Sequence, residues 1–222
     1  SEIGAAEYKY SDLGYYLFQR SIESLSDTML YTYVYKTFYA PLGAGTLGYL
    51  PLNRFDESRI VPTENDMFFR RQLLRGYVHD PGAAMLGGIA GHAGLFSNSN
   101  DLAKMMQMYL NWGSYGGIRY LDSTTIRVYS SRAYSEADNR RALGFDRPVI
   151  DEPDEGPACN SASASSYGHS GFTGTLVWLD PESDLLFIFL SNRVHPNQSN
   201  TKLLDQNIRT NIQQVVYDAM LE

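Results

Sequence analysis

The run SSYGHSGFTGTLVWLDP, Ser165 to Pro181, decides how the chain is read. Leu176, Val177 and Trp178 supply the apolar residues of a buried strand. Gly168, Gly171 and Gly174, at three-residue spacing, add nothing to a core. They let backbone come close to something else. His169 and Ser170 sit between them, so the stretch reads as a site carried on a strand.

Downstream, GTLVWLDPESDLLFIFLSN predicts two strands around an Asp-Pro-Glu-Ser-Asp turn. Leu185 to Asn192 is the second of these, continuously apolar from Leu185 to Leu190, as expected of a strand covered on both faces. TKLLDQNIRTNIQQVVYDAM follows as one amphipathic helix with Leu203, Leu204, Ile208, Ile212, Val215, Val216 and Ala219 on its apolar face. Upstream, Glu152 to Ser166 is a polar loop rich in Pro, Gly, Ser and Ala. Asp122 caps a short helix, DSTTIRVYSSR. The clearest helix is Ser97 to Gly113, capped by Asn98, Ser99 or Asn100, with Leu102, Met105, Met106, Tyr109 and Leu110 facing inward. Leu47 to Met85 is mostly irregular. Near the start, Tyr10 to Asp27 predicts a helix with Ser11 or Asp12 as N-cap and Leu13, Leu17, Ile22 and Leu25 at helical spacing. TMLYTYVYKTFYAPLG continues as a second helix, stopped by Pro41 and Gly43. The sum is an α+β chain: one antiparallel sheet with helices packed on it.

Composition narrows the function. The 222 residues suit one domain, or most of one, over 1–222, able to bury a core, and 43% are apolar against 19% charged, which argues against disorder. The formal net charge of −7, without a Lys/Arg cluster, argues against nucleic acid as partner. No apolar run of about 18 residues offers a membrane span. Cys159 is the only cysteine, so no internal disulfide and no multi-cysteine zinc site exists. The four His lack ligand spacing, so no metal and no cofactor is expected. His79-Asp80 reads as a His–carboxylate pair ordering the long loop, and His195 as solvated. The aromatic run Tyr31 to Tyr39 reads as ordinary packing.

YSDLGYYLF, APLGAGTLGYLP, GYVHDPGAAMLGGIAGHAGLFSNSNDLAKMMQMYLNWG and YGHSGFTGTLVWLDPESDLLFIFLSNR occur here in one order. Together they resemble the serine β-lactamase and penicillin-binding-protein superfamily, in its class C-like and esterase branch. The VHD to GHAGLFS segment and the chain's ending are similar to modules found behind glycoside hydrolases in bacterial cell-wall enzymes. The resemblance implies an acyl-enzyme on a Ser-x-x-Lys serine, acting on β-lactams, D-amino-acid cell-wall peptides or esters. Tyr10 and Asp12 match the Tyr-x-Asn/Asp motif, which puts a phenol near that serine as proton acceptor. His169-Ser170-Gly171 matches the Lys-Thr-Gly or His-x-Gly motif, with Gly171 keeping the strand thin for substrate and the Phe172 N–H as an oxyanion donor. His92 matches the loop at the pocket rim, where it serves either substrate contact or internal hydrogen bonding to loop backbone.

In the family the Ser-x-x-Lys helix and several strands precede the Tyr motif. The only Ser-x-x-Lys here is Ser199 to Lys202, after the last strand, so the nucleophile is expected to be absent and this chain alone to be inactive. Expected partners are a small-molecule or peptide substrate, and either the N-terminal part of the same domain or a second copy pairing along 185–192. A periplasmic or cell-envelope location follows from the resemblance. The rival expectation is a non-catalytic binding module that keeps the pocket.

Overall fold

The computed structural model describes residues 8–134, 139–149 and 156–220. Helix α1 (Leu13–Ser26) leads to helix α2 (Leu30–Val34), which runs on into one π-helical turn, Tyr35–Tyr39. The spacing of Leu13, Leu17 and Leu25 is helical, but they do not pack: they are 69%, 70% and 89% exposed, and α1 buries none of its residues. No described element lies against that side. α1 is held instead by its other side, where Tyr16 packs on Val78, Ala83 and Ala90 and Gln19 bonds the Ile89 carbonyl and the Gly91 N–H.

The stretch expected to be irregular contains a hairpin, β1 (Pro62–Asp66) with β2 (Gln72–Arg75), and a one-turn helix α3 (Pro81–Met85). Its strands are too polar to show alternation. The hairpin is organised by one side chain: the Asp66 carboxylate accepts the N–H groups of Phe68, Phe69 and Arg70 and the Arg70 guanidinium. Burial pushes that carboxyl up, but these donors win and hold it far below the ordinary carboxylate range.

Helix α4 (Ser99–Leu110) is capped by Asn98, a two-stranded turn joins β3 (Ser114–Tyr115) to β4 (Ile118–Arg119), and helix α5 (Ser123–Ser130) is capped by Asp122, whose side chain accepts from Thr124. The deepest residue of α4 is Met108, one the periodicity did not single out, packed with Tyr39, Leu42, Leu47 and Ile126. Asp101, in the first turn of α4, takes Thr46 by N–H and hydroxyl and pairs with Lys104. Burial works to raise its carboxyl, yet Lys104 and Thr46 bring it down to about 2.

The sheet is β5 (Tyr167–Ser170), β6 (Leu176–Asp180) and β7 (Leu185–Phe189), antiparallel and in that order. The pleat sends Tyr167, Leu179 and Leu186 to one face against Leu110 and Met106 of α4. Leu176, Trp178 and Phe187 go to the other, against Ala158 and Val216. Gly168 faces Trp178 across the ladder, and a Cβ there would collide with the indole and the β6 backbone. β7 is shorter than 185–192: it ends at Phe189, and Leu190 is exposed. Only Phe187 of β7 is buried, so the strand is half-covered, and among the described residues no strand pairs with its outer edge.

The last helix is two. Helix α6 (Lys202–Asp205) and helix α7 (Ile208–Met220) are separated by Asn207 in the left-handed conformation, φ 50°. The break rotates the inward face away from the predicted one. Gln213 and Tyr217 are buried, while Val215 and Ile212 stand out in solvent. Tyr217 donates to Asp180 at 2.6 Å, tying α7 to the end of β6. No described helix is long and apolar enough to cross a membrane.

Candidate active site

β5 offers its outer edge. Gly168 uses both backbone groups outward: its N–H donates to the Asp146 carbonyl at 3.0 Å, and its carbonyl accepts the Asp146 N–H at 2.7 Å. Two-residue alternation turns the N–H and C=O of Ser170 to the same side. There the His169 Nδ1 lies 2.8 Å from the Ser170 carbonyl, and Nε2 lies 3.2 Å from Arg141 Nη1. Donation from Nδ1–H leaves Nε2 as the acceptor for the guanidinium. The same guanidinium lies 5.2 Å from the centre of the Tyr10 ring, and the Tyr10 and His169 rings are 6.4 Å apart. Tyr10, Arg141 and His169, from three remote parts of the sequence, thus meet at one strand edge.

Arg141 is the member that motif reading missed. Its anchor is Asp146, 3% exposed, which it approaches at 3.4 Å and which also takes Arg140 by two bonds of 2.7 and 3.1 Å. Two guanidinium groups on one carboxylate leave a positive excess beside the strand. The available signal was the adjacent Arg140-Arg141 pair a few residues before Asp146. Tyr10 is 57% exposed. Partial burial, then the Asp12 carboxylate, raise its phenol above the ordinary tyrosine value, and Arg141 pulls the other way. Burial and Asp12 thus favour the neutral phenol.

Asp12 sits at the N-terminus of α1 but makes no side-chain cap; the Ser11 hydroxyl accepts the Leu13 N–H at 3.3 Å instead. The Asp12 carboxylate joins Asp80 and His92, and these offer ligand atoms within 4.8 Å of one another, a group able to hold a metal ion. Asp80 lies 2.8 Å from His92 Nε2 and also caps α3, while His92 Nδ1 is buried without a hydrogen-bond partner among the described residues. The His92 side chain is 6% exposed, turned onto Asp80 and the Tyr16 hydroxyl, away from a solvent-facing rim. The expected His79–Asp80 pair does not form. His79 bonds Glu64 at 2.7 Å, because the chain turns at Asp80 to start α3 and the two side chains part. His195 is half-buried, with its Nδ1 shielded from solvent. The buried Cys159 has its thiol pushed up by desolvation.

Gly171 closes β5 through its N–H to the Thr175 carbonyl at 2.8 Å, and a Cβ there would run into the Thr175 hydroxyl. Phe172 follows, with its ring stacked on His79 at 5.1 Å and 13° and its carbonyl held by Arg193 Nε at 2.8 Å. Ser199 and Lys202 are exposed, and among the described residues neither bonds to Tyr10, Asp12 or His169.

Residues 5–211 fit the family profile named Beta-lactamase, and the chain belongs to that family. A curated relative from Salmonella typhi, "Putative D-alanyl-D-alanine carboxypeptidase", is 34% identical over 211 residues, covering 89% of this chain and 48% of the relative. The chain thus spans about half the length of the curated relatives it matches. In structure it resembles a Mycobacterium bovis β-lactamase (TM-score 0.64, 17% identity, 95% of this chain and 64% of that one). It also resembles a penicillin-binding-protein homologue from Caulobacter crescentus (TM-score 0.57, 19% identity, 86% and 54%). The fold expectation, part of a β-lactamase-like domain, agrees with these coverages.

Proposed function

We propose that this chain forms the strand-edge side of a serine acyl-transfer site acting on D-alanyl-D-alanine peptides of the bacterial cell wall. The meeting of Tyr10, Arg141 and His169 at the open edge of β5 carries the reading. The 34% identity to the Salmonella protein supports the substrate class. In this scheme the Ser170 backbone pairs with the peptide, and the Phe172 N–H donates to the oxyanion. Tyr10 takes the proton of the attacking serine hydroxyl as it passes its own to the departing amine, which then leaves the acyl-enzyme to water. Arg141 meets the terminal carboxylate, a group that simple esters lack. The acylating serine is assigned to polypeptide outside these residues, since Ser199 stands apart from the site. The working location is the periplasm or cell envelope.

A second reading is a module that uses the open β5 edge to bind cell-wall peptide beside a glycoside hydrolase without cleaving it. The test compares this chain with the product of the complete reading frame that contains it. Each is given a D-alanyl-D-alanine peptide, p-nitrophenyl acetate, nitrocefin and a fluorescent penicillin. D-alanine release and a covalent penicillin label by the longer product support the hydrolase. Peptide binding without either supports the binding module, and neither binding nor turnover overturns both.

A further inference from the structure

Phe172 is 61% exposed, yet it is held at more points than an exposed side chain requires. Its ring lies nearly parallel to His79, its centroid is 4.4 Å from the Arg193 guanidinium carbon, and its carbonyl accepts Arg193 Nε at 2.8 Å. Both partners are anchored. His79 Nδ1 is fixed on Glu64 at 2.7 Å, Glu64 pairs with Arg70 at 3.3 Å, and Arg70 returns to the His79 carbonyl at 2.9 Å. Arg193 also gives its backbone N–H to Thr173 and Nη1 to Gln198.

On the other side of the peptide plane, the Gly171 N–H is fixed by Thr175. The plane carrying the Phe172 N–H is held at its other end by the Gly171 carbonyl, which accepts the Gly174 N–H at 3.0 Å; with no Cβ on Gly171 to restrict its dihedrals, the tilt of that plane at the Phe172 end is set by what holds Phe172. We propose that His79 and Arg193 are positioning residues: by holding Phe172 at ring and carbonyl they aim its backbone N–H along the open edge of β5. The proposal rests on reading that N–H as an oxyanion donor. It gives the β1–β2 hairpin a role at the site, because Glu64 and Arg70 carry His79 to Phe172.

The test uses the 15N-labelled chain with His79→Ala, His79→Phe and Arg193→Lys. Backbone 15N relaxation should show new fast motion at Phe172 and Thr173 in His79→Ala and in Arg193→Lys, with β6 amides unchanged. His79→Phe, which restores a flat ring but not the Glu64 anchor, should recover the order at Phe172 only in part. In the turnover-competent longer product, His79→Ala should lower kcat on the order of 10²-fold with KM little changed, as misplacement of a donor does. Unchanged Phe172 dynamics in both His79→Ala and Arg193→Lys overturn the proposal. So does loosening spread evenly through β5 to β7. If the longer product turns nothing over, the hydrolase reading fails, while the relaxation data still decide whether His79 and Arg193 hold Phe172. Should His79→Ala not fold, Arg193→Lys, which keeps its charge and its backbone bond to Thr173, carries the decision.

Discussion

Replacing Tyr217 by Phe takes one oxygen out of the junction between α7 and the sheet. The phenol is 5% exposed and its acceptor, Asp180, 1% exposed, with 2.6 Å between the oxygens. Side-chain volume barely changes, so no cavity opens. The loss is one hydrogen bond to an ionised acceptor, worth about 1.5–3 kcal/mol. Asp180 keeps the Ser163 N–H at 2.9 Å, the Ser163 hydroxyl at 2.6 Å and the Glu182 N–H at 3.0 Å, so it is not stranded. That places the cost near the lower end, about 1.5–2 kcal/mol at pH 7.

The pH dependence has a definite sign. Burial pushes the Asp180 carboxyl up, but the bonds from Ser163 and Tyr217 outweigh it and lower it in the fold. A depressed carboxyl stabilises above the unfolded value, about 3.9, and the contribution fades as pH falls through the folded value. The wild-type advantage over Tyr217→Phe should therefore shrink below about pH 4. The Tyr217 phenol is raised by burial and then by Asp180, so its contribution is present below about pH 10 and is lost above it. The gap should narrow at that end too. Urea unfolding followed by fluorescence of the buried Trp178 reads both. A difference under about 0.5 kcal/mol at pH 7, or one that persists undiminished down to the lowest pH at which both proteins fold, would refute the latch.

Other outcomes follow from the site and the edge. In a turnover-competent product, Tyr10→Phe should cut kcat roughly 10²–10⁴-fold with a smaller change in KM, measured by steady-state D-alanine release; an unchanged kcat removes the phenol from proton transfer. Gly171→Val should abolish turnover by blocking the strand edge and displacing the Thr175 hydroxyl, with the far-UV spectrum retained; full activity would sink the site assignment. The isolated chain, with the outer edge of β7 unpaired among the described residues and one side of α1 bare, should sediment as a dimer or larger, or carry a bound peptide; a clean 25.0 kDa monomer would show the edge to be tolerated.

The β5–β7 sheet was legible because apolar runs and a Pro-containing turn are local signals. The caps Asn98 and Asp122 were legible for the same reason. The β1–β2 hairpin was not, since its order comes from one carboxylate gathering four donors rather than from alternation. The split of the last helix turns on Asn207 entering a left-handed conformation that Asn tolerates but does not announce. At the site, Tyr10 and His169 carry motif signatures, and the structure puts their rings together. Arg141 and Arg193 carry none, and each matters only through what folding brings beside it. The inward turn of His92 depends on Asp80 and Tyr16, and no spacing rule connects those positions.

The strand-edge site draws Tyr10 from one end of the sequence, Arg141 and His169 from its later half, and Arg193 from close to the other end. Closing such long loops costs entropy before any contact repays it, whereas α4 and its Asn98 cap form from neighbours in sequence. During refolding, helical signal should therefore return well before the Tyr10–Arg141–His169 cluster assembles. A nascent or partly denatured molecule can carry most of its secondary structure while having no site at all.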